Sequence, residues 1–320
     1  MTWLVTGGAG YIGAHVVHAL RSAGEPAVVL DNLATGLAAR VPDDVPLVKA
    51  DVRDAAEVTN AVRQYAVTGV IHLAARKDVA ESVAEPLTYY RDNLNGLRTV
   101  LGAAAAHGAR DVVFSSSAAV YAPTPSGRVD ETSATAPSNA YGRTKLAGEW
   151  MLRDAAAASG LRFAALRYFN VAGAGAPNLA DVGQTNLVPR LLRAAADGRP
   201  AQVYGLDHPT RDGSCIRDYV HVADIAAAHV AAAAALRAGR IDAETINIGR
   251  GTGVSVLEMV DAVRRTTGRP LPVEPAPARQ GDPPSVVAAA NRATEVLGWS
   301  ASRDLDDIVG SAWAAVQHHS

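Results

Sequence analysis

The segment that decides the fold is Trp3-Leu4-Val5-Thr6, followed directly by Gly7-Gly8-Ala9-Gly10-Tyr11-Ile12-Gly13. The first residues are typical of a buried strand, and the amphipathic stretch 11–23 is typical of a helix. The glycines match both GxxGxxG and GxGxxG, a spacing that brings a helix N-terminus close to a pyrophosphate. Asp31 ends the next predicted strand about 20 residues further on, where a carboxylate accepts from the adenosine ribose. The segment therefore predicts a dinucleotide site, and Asp31 favours NAD because a carboxylate repels the 2′-phosphate of NADP.

Outward from this segment, short apolar runs alternate with amphipathic stretches. Strands are predicted over 3–6, 27–30, 47–50, 70–73, 111–114 and 162–167, and helices over 11–23, 55–65, 86–107 and 139–159. The alternation predicts an α/β fold with a doubly wound parallel sheet of the Rossmann type. Further helices are predicted over 186–197, 221–238, 255–266 and 304–317, in a smaller α/β C-terminal lobe that would bind substrate. The Pro-rich run 269–284 is expected to be a loop over a site.

Composition excludes several classes of protein. Of the 320 residues 48% are hydrophobic, and 30 Lys and Arg against 32 Asp and Glu give a net charge of −2. That balance argues against non-specific nucleic-acid binding, which needs a basic surface. The single cysteine, Cys215, cannot form an internal disulfide and suits a reducing compartment. No apolar run is typical of a signal peptide or a membrane span, so we expect a cytoplasmic protein without membrane contacts.

A candidate catalytic set follows the predicted cofactor domain. Tyr141 and Lys145 are four residues apart, hence on one face of a predicted helix, and Ser115-Ser116-Ser117 ends the preceding strand. A nearby ammonium favours the phenolate, so Lys145 and a cationic nicotinamide are expected to lower the pKa of Tyr141. Such a tyrosine can take a proton from a carbinol while hydride leaves for NAD. No metal site is expected, although His221, Asp224 and His229 share one predicted helix.

The same residues carry a family resemblance. The glycine motif and the Ser117/Tyr141/Lys145 set, in that order, resemble the extended short-chain dehydrogenase/reductase family, and nearly the whole chain is similar to the UDP-glucose (UDP-galactose) 4-epimerases within it. Further matching residues and segments are Lys77, Glu81 to Val83, Pro86-Leu87, Tyr89-Tyr90, Asn93, Gly96, Phe114 to Ala118, Leu166 to Asn170, Arg217 to Val222 and Arg279 to Asp282.

The resemblance implies a role for each matching residue. Tyr141 would be the base at the sugar 4-hydroxyl, Ser117 its hydrogen-bonding or proton-relay partner, and Lys145 the residue that binds the nicotinamide ribose. The cofactor site would comprise Gly7, Gly10, Tyr11, Ile12, Gly13, Asp31, Asn32, Asp51, Val52, Leu73, Ala74, Ala75, Lys77, Asn93, Ser115, Tyr141, Lys145 and Tyr168. The UDP-sugar would be bound by Lys77, Ser117, Tyr141, Asn170, Asn186, Leu187, Tyr204, Arg217, Tyr219, Arg279 and Asp282.

The implied activity is NAD-dependent inversion of C4 of a UDP-hexose through a 4-keto intermediate. Residues 1–170, with a returning segment near 219–248, would bind NAD, and 171–320 would mainly bind the nucleotide sugar. The resemblance also implies a homodimer built from the helices over 86–107 and 139–159, whose small Ala-rich faces allow close packing. Val286 falls where relatives restricted to small hexoses carry a large Tyr, so UDP-N-acetylglucosamine is an expected second substrate.

Other functions are weighed against this one. A nucleotide-sugar dehydratase would need an extra acid/base pair beside the strand serine, where this chain has Ala118 and Ala119. A 4-epimerase of UDP-glucuronate or of a UDP-pentose stays open. A catalytically silent NAD-sensing regulator is a further alternative, although proteins of that kind usually lose the Tyr or the Lys.

Overall fold

The computed structural model describes residues 2–183, 185–279 and 281–319. Its strands are β1 (Thr2–Thr6), β2 (Ala27–Asp31), β3 (Leu47–Lys49), β4 (Val67–His72), β5 (Asp111–Ser117), β6 (Arg128–Val129), β7 (Arg162–Tyr168), β8 (Asn170–Ala172), β9 (Ala201–Tyr204), β10 (Ile216–His221), β11 (Ala243–Ile248), β12 (Gly253–Ser255), β13 (Val273–Ala276) and β14 (Ser285–Ala288). Its helices are α1 (Tyr11–Ser22), α2 (Ala55–Gln64), α3 (Val79–Ala84), α4 (Pro86–Tyr89), α5 (Asn95–Ala106), α6 (Ala140–Ser159), α7 (Leu187–Ala196), α8 (Val222–Arg237), α9 (Val256–Thr267), α10 (Asn291–Leu297) and α11 (Leu305–His319).

The main sheet has seven parallel strands in the order β11-β7-β5-β4-β1-β2-β3. Helices cover both faces. On one face, Leu20 of α1 and Ile225 of α8 pack into one core with Val113 of β5. On the other face, Val62 of α2 and Leu101 of α5 belong to a second core. The predicted α/β fold with a doubly wound parallel sheet is confirmed, and the carboxyl ends of its strands form the edge where ligands bind in such folds.

A smaller set of strands lies beyond this sheet. Five strands form a second sheet in the order β12-β10-β14-β6, with β8 paired to β10, and β13 pairs with β9 in a third. Helices α7, α9 and α11 pack with β10 in a third core. Leu192, Val260 and Ile308, one from each helix, belong to this core. After β10 the chain returns to the main sheet. Helix α8 packs against α1, and β11 pairs with β7.

Two local predictions were wrong. The helix predicted over 86–107 is divided by one π-helical turn, Tyr90–Leu94, between α4 and α5. This turn contains Asn93, whose buried side chain bonds outside its own helix, and π turns commonly occur where a side chain is diverted in this way. The predicted loop 269–284 contains β13, because its residues pair with β9 more than 60 residues earlier in the chain, at Val273 with Ala201.

Within the residues that the structure describes, no helix combines the length and the apolar character that a membrane span requires.

Candidate functional site

The glycine loop fits a pyrophosphate. Gly7 has φ +72°, in the left-handed region, and a Cβ there would lie 2.8 Å from the Ala74 nitrogen. A Cβ on Gly13 would lie 2.1 Å from the Gly7 carbonyl oxygen, so the helix packs directly on the turn. Gly10 is the N-cap of α1 and no side chain caps this helix. The first amides of α1, at Tyr11, Ile12 and Gly13, therefore face outward without a side chain between them and an anion.

Asp31 lies beside this loop at the carboxyl end of β2. Its side chain is buried and accepts from the backbone nitrogens of Ala9, at 3.0 Å, and Leu33, at 2.8 Å. Each carboxylate oxygen also retains lone pairs that could accept from ribose hydroxyls. A Cβ on Gly36 would lie 2.9 Å from Asp31 Oδ1, which shows how closely the backbone covers this carboxylate.

Three further residues of the predicted cofactor site, Asn32, Asp51 and Val52, follow the carboxyl ends of β2 and β3. Asn32 Nδ2 donates to Asp51 Oδ2 at 3.1 Å, and the Arg53 guanidinium holds the pKa of Asp51 well below its usual value through a hydrogen bond. The Asp51 carboxylate is thus already engaged by an arginine, which the sequence did not predict. Val52 packs so closely on α5 that a Cβ on Gly96 would lie 2.7 Å from its Cγ2.

The segment after β4 forms the opposite wall of the loop. The Leu73 nitrogen donates to the Thr6 carbonyl at 3.1 Å and the Ala74 nitrogen to Thr6 Oγ1 at 3.4 Å, while Ala75, the next residue, is exposed. Lys77 is exposed. Asn93 accepts from the Arg76 nitrogen at 2.8 Å and donates to Thr144 Oγ1 at 3.0 Å. Asn93 therefore fixes the segment before Lys77 to helix α6.

The predicted catalytic residues lie where α6 crosses the end of β5. Lys145 is 4% exposed, and its Nζ donates to the Ser115 carbonyl at 2.6 Å and lies 5.8 Å from the centre of the Tyr141 ring. The Ser115 hydroxyl is hydrogen-bonded to the Tyr168 hydroxyl, and Tyr141 is hydrogen-bonded to Ser117. The three predicted catalytic side chains are thus adjacent to one another and to Ser115 and Tyr168 of the predicted cofactor site.

The protonation of this cluster differs from the prediction. Burial lowers the pKa of Lys145 to about 7, and burial raises the pKa of Tyr141, while the hydrogen bond with Ser117 acts in the opposite direction. The expected lowering of the Tyr141 pKa by Lys145 is not seen in the protein alone. The physical reason is that removal from water disfavours both charged forms, and this outweighs the attraction across 5.8 Å.

Residues predicted to bind the nucleotide form a second cluster in the smaller lobe. The Arg279 guanidinium lies 4.2 Å from the centre of the Tyr204 ring, and Arg217 Nη2 donates to Asp282 Oδ1 at 2.5 Å. The Asp282 nitrogen donates to the Arg279 carbonyl at 3.2 Å, which joins the two pairs. Tyr219 is buried on the same strand as Arg217. The cluster combines two cations and an aromatic ring, groups that suit a diphosphate and a base.

Three further predicted residues connect this cluster to the rest of the site. Asn170 pairs in register with Tyr219 and follows Tyr168 of the catalytic cluster after one residue. Asn186 is the N-cap of α7, with Leu187 as the first helical residue, and its Nδ2 donates to Asp181 Oδ2 at 2.6 Å instead of capping the helix. Tyr168 at the end of β7 belongs to the catalytic cluster, and Asn170 at the start of β8 pairs with Tyr219 of the nucleotide cluster. The short link between β7 and β8 therefore joins the two clusters.

Comparison with known proteins decides the family. The model of the NAD dependent epimerase/dehydratase family matches residues 3–249. The chain belongs to this family.

The relatives are similar over nearly their full length. The UDP-glucose 4-epimerase of Azospirillum brasilense is 47% identical over 314 residues, which are 97% of this chain and 90% of that protein. The crystal structure of the Stenotrophomonas maltophila UDP-glucose 4-epimerase, with bound NAD and formylated UDP-arabinopyranose, has a TM-score of 0.95 at 39% identity and covers 100% of this chain and 98% of its own. That of the Brucella ovis enzyme in complex with NAD has a TM-score of 0.92 at 42% identity, over 98% and 97% of the two chains. The resemblance predicted from the motifs is confirmed.

Two groups in this epimerase/dehydratase chain were missed by the sequence analysis. Arg190 of α7 lies 5.6 Å from the centre of the Tyr204 ring, which Arg279 also contacts, and no motif marks it. Glu149 is buried one turn after Lys145 and accepts from Arg167 Nε at 2.8 Å. Its spacing of four residues from Lys145 was a signal, because it continues the face formed by Tyr141 and Lys145.

The histidines considered for metal binding have other partners. His221 caps α8 by accepting from the Ala223 nitrogen, and His229 is bonded to the Ile225 carbonyl. Over residues 2–183, 185–279 and 281–319, no group of three or more His, Cys, Asp or Glu side chains is placed to hold a metal ion.

Proposed function

We propose that this chain inverts the configuration at C4 of a UDP-hexose and so interconverts UDP-glucose and UDP-galactose, with NAD as its cofactor. The observation that carries the proposal is the Ser117/Tyr141/Lys145 cluster, which lies with the glycine loop at the carboxyl ends of the main-sheet strands. The strand of Arg217 pairs with β8, which directly follows the main-sheet strand β7. The epimerases similar to this chain, two of them with NAD bound, support it. When bound, NAD supplies the group that accepts hydride from C4 and returns it.

The residues of the chain would divide the remaining work. Tyr141 would take the proton from the 4-hydroxyl and return it to the oxygen of the 4-keto group as hydride comes back to C4, and Ser117 would donate a hydrogen bond to the phenolate. Because burial opposes ionisation of Tyr141, the phenolate requires cationic partners, of which Lys145 is one. A water-excluded site strengthens this electrostatic effect.

The second cluster would hold the nucleotide while the sugar moves. Arg217 and Arg279 would bind the diphosphate, Tyr204 the uracil, and Asp282 the uridine ribose. Asn170 and the N-terminus of α7 at Asn186 and Leu187 would complete this half. With the nucleotide fixed at several points, a 4-keto sugar could turn and present its other face. This corresponds to a cofactor-binding part over 1–170 with a segment near 219–248, and a nucleotide-sugar part mainly over 171–320.

The range of sugars is the finer part of the proposal. Val286 lies on β14, opposite Arg217 of β10, and packs beside the core of Val120 and Tyr121 that follows the serine strand. An isopropyl group at this position leaves room that a Tyr ring would fill. We therefore include UDP-N-acetylglucosamine among the substrates.

We also propose a homodimer in the cytoplasm. The exposed apolar side chains on α3, α4 and α6 are large, with Val83 67%, Leu87 80% and Trp150 56% exposed. Both α3 and α4 contact α6, so these side chains form one surface, and contiguous apolar surfaces commonly mark interfaces. The proposed interface would use α4 and α6, which lie in the two predicted helical segments, together with α3, and it would involve bulky residues besides the small Ala-rich faces expected from the sequence.

The function is tested with Tyr141→Phe. The variant should keep NAD and the fold, because only a hydroxyl is removed, while kcat for UDP-galactose falls by about a hundredfold or more. Conversion is followed with UDP-glucose dehydrogenase as the coupling enzyme, and bound NAD is measured after denaturation. Tyr65→Phe, at the end of α2, is the matched control. A Tyr141→Phe variant with more than about a tenth of the wild-type kcat would contradict the role of Tyr141.

A further inference from the structure

A three-residue turn, Gly173–Gly175, is held by side chains from two sides. The Tyr11 hydroxyl donates to the Gly173 carbonyl at 2.5 Å, and the Gly175 nitrogen donates to His15 Nε2 at 2.8 Å. Both side chains come from helix α1, directly after the glycine loop. From the smaller lobe, Ser311 Oγ accepts from the Ala174 nitrogen at 3.2 Å. The turn is therefore fixed between the cofactor helix and α11.

The hydrogen bonds of His15 define its tautomer. Burial lowers the pKa of His15 to about 4, so the ring is neutral at pH 7 and carries one proton. Because Nε2 accepts from Gly175, the proton is on Nδ1, which donates to the Tyr11 carbonyl at 2.8 Å. His15 is 4% exposed, so a substitution that removes the acceptor breaks a bond that holds the Gly175 nitrogen to a buried side chain of α1.

The fit around the turn leaves little space for another arrangement. Gly173 has φ +92°, and a Cβ there would lie 2.7 Å from His221 Cδ2. A Cβ on Gly175 would lie 2.8 Å from His15 Cδ2. The turn can pack against both histidines only because both of its ends are glycine.

The position of the Gly173–Gly175 turn along the chain connects it to the proposed nucleotide site. It lies in the segment that joins Asn170 to Asn186, two residues of the proposed nucleotide site. The same segment is attached to the cofactor half again further on, where Arg40 Nη2 donates to the Ala180 carbonyl. Asp181, the next residue, accepts from Asn186. Contacts from the cofactor half thus continue to the first residue of the nucleotide site on α7.

We propose that His15 is a positioning residue for the nucleotide sugar. Its Nε2 acceptor keeps the Gly173–Gly175 turn on α1 and thereby sets the spacing between Asn170 and Asn186, so the affinity for a uridine diphosphate depends on a side chain of the cofactor helix. The proposal rests on the proposed function, because that function supplies the ligand.

The test compares two substitutions of similar size in the NAD-loaded protein. His15→Leu fills the space without an acceptor, whereas His15→Gln places an amide oxygen near the position of Nε2. The Kd for UDP, measured by titration calorimetry, should rise about tenfold or more in His15→Leu and stay within about threefold of the wild type in His15→Gln. His107→Ala, an exposed histidine at the end of α5, should leave the Kd unchanged. NAD content and thermal unfolding are measured for each variant.

The outcomes separate this inference from the proposed function. A wild-type protein that does not bind UDP would refute the function, and this inference with it. Binding by the wild type with an unchanged Kd in His15→Leu, or an equal loss in both His15 variants, would refute the inference alone. If His15→Leu does not fold, Ser311→Ala removes a bond to the same turn from the other side and should raise the Kd for UDP. An unchanged Kd in Ser311→Ala would then be the refuting result.

Discussion

Removing the Glu149 carboxylate should destabilise the protein by about 3–5 kcal/mol, since it leaves a buried guanidinium without its counter-ion. The side chains of Glu149 and Arg167 are 0% and 4% exposed, and Arg167 Nη2 donates to Glu149 Oε2 at 2.6 Å. Burial acts to lower the pKa of Arg167, but the Glu149 carboxylate raises it above its usual value. Replacing Glu149 by Gln removes that support, but a guanidinium has an ordinary pKa above about 12, so the arginine stays charged at neutral pH.

The other contacts of the pair set the size of the effect. Ser116 Oγ donates to Glu149 Oε1 at 2.5 Å, and the Arg167 guanidinium lies 4.9 Å from the centre of the Tyr121 ring. In Glu149→Gln the amide can still accept from Ser116 but cannot form two charged hydrogen bonds with Arg167. A loss of about 3–5 kcal/mol corresponds to a fall in Tm of about 4–7 °C for a chain of 320 residues.

The assay is thermal unfolding of the NAD-loaded protein, with a matched control and a double variant. Asp261→Asn removes a carboxylate from the exposed pair with Arg264, whose side chains are 58% and 41% exposed, and should change stability by less than about 0.5 kcal/mol. Glu149→Leu with Arg167→Met should be less destabilising than either single change, because no unpaired charge remains buried.

Two results would refute this reasoning. In the first, Glu149→Gln lowers Tm no more than Asp261→Asn does, so that burial adds nothing to the pair. In the second, the effects of Glu149→Leu and Arg167→Met simply add in the double variant, so that the residues act independently.

Three further outcomes are expected. Lys145→Met should lower kcat most at and below pH 7, because the Lys145 ammonium, with a pKa of about 7, is present there in the wild type. At higher pH Lys145 is neutral, so the loss should be smaller. A ratio of wild-type to variant kcat that is constant from about pH 6 to about pH 9 would contradict this. Val286→Tyr should lower kcat/KM for UDP-N-acetylglucosamine relative to UDP-glucose by about 10- to 100-fold, and an unchanged ratio in a two-substrate assay would exclude Val286 as the determinant. Leu87→Asp should convert the dimer to a monomer in light scattering, whereas Val182→Asp, an exposed apolar residue elsewhere, should not.

The elements that follow from local pattern were predictable from the sequence. The run Trp3 to Gly13 predicts β1, its turn and α1, because each of its requirements concerns neighbouring residues. Tyr141 and Lys145 were predictable as a pair for the same reason, since four residues along a helix bring them to one face. Their family resemblance then indicated which residues of the smaller lobe accompany them.

What the sequence did not predict depends on contacts between distant residues. Glu149 and Arg167 belong to different elements, and no spacing rule joins them. Arg190 meets Tyr204 only after α7 packs beside β9. The directions in which the pKa values of Tyr141 and Lys145 shift in the protein alone depend on the burial of both groups, which no motif expresses. β13 was missed because a four-residue strand is defined by its partner rather than by its own sequence.

The return of the chain to its first sheet has a consequence for how the protein can be made and cut. β11 (Ala243–Ile248) is the outermost strand beside β7, and Ile225 and Leu236 of α8 belong to the same core as Trp3. A fragment that ends near residue 170 leaves the backbone groups of β7 unpaired along one edge and that core open on one side, a surface that favours aggregation. During synthesis this edge stays uncovered until Ile248 has left the ribosome. A shortened cofactor-binding fragment would therefore have to extend beyond Ile248 to be soluble.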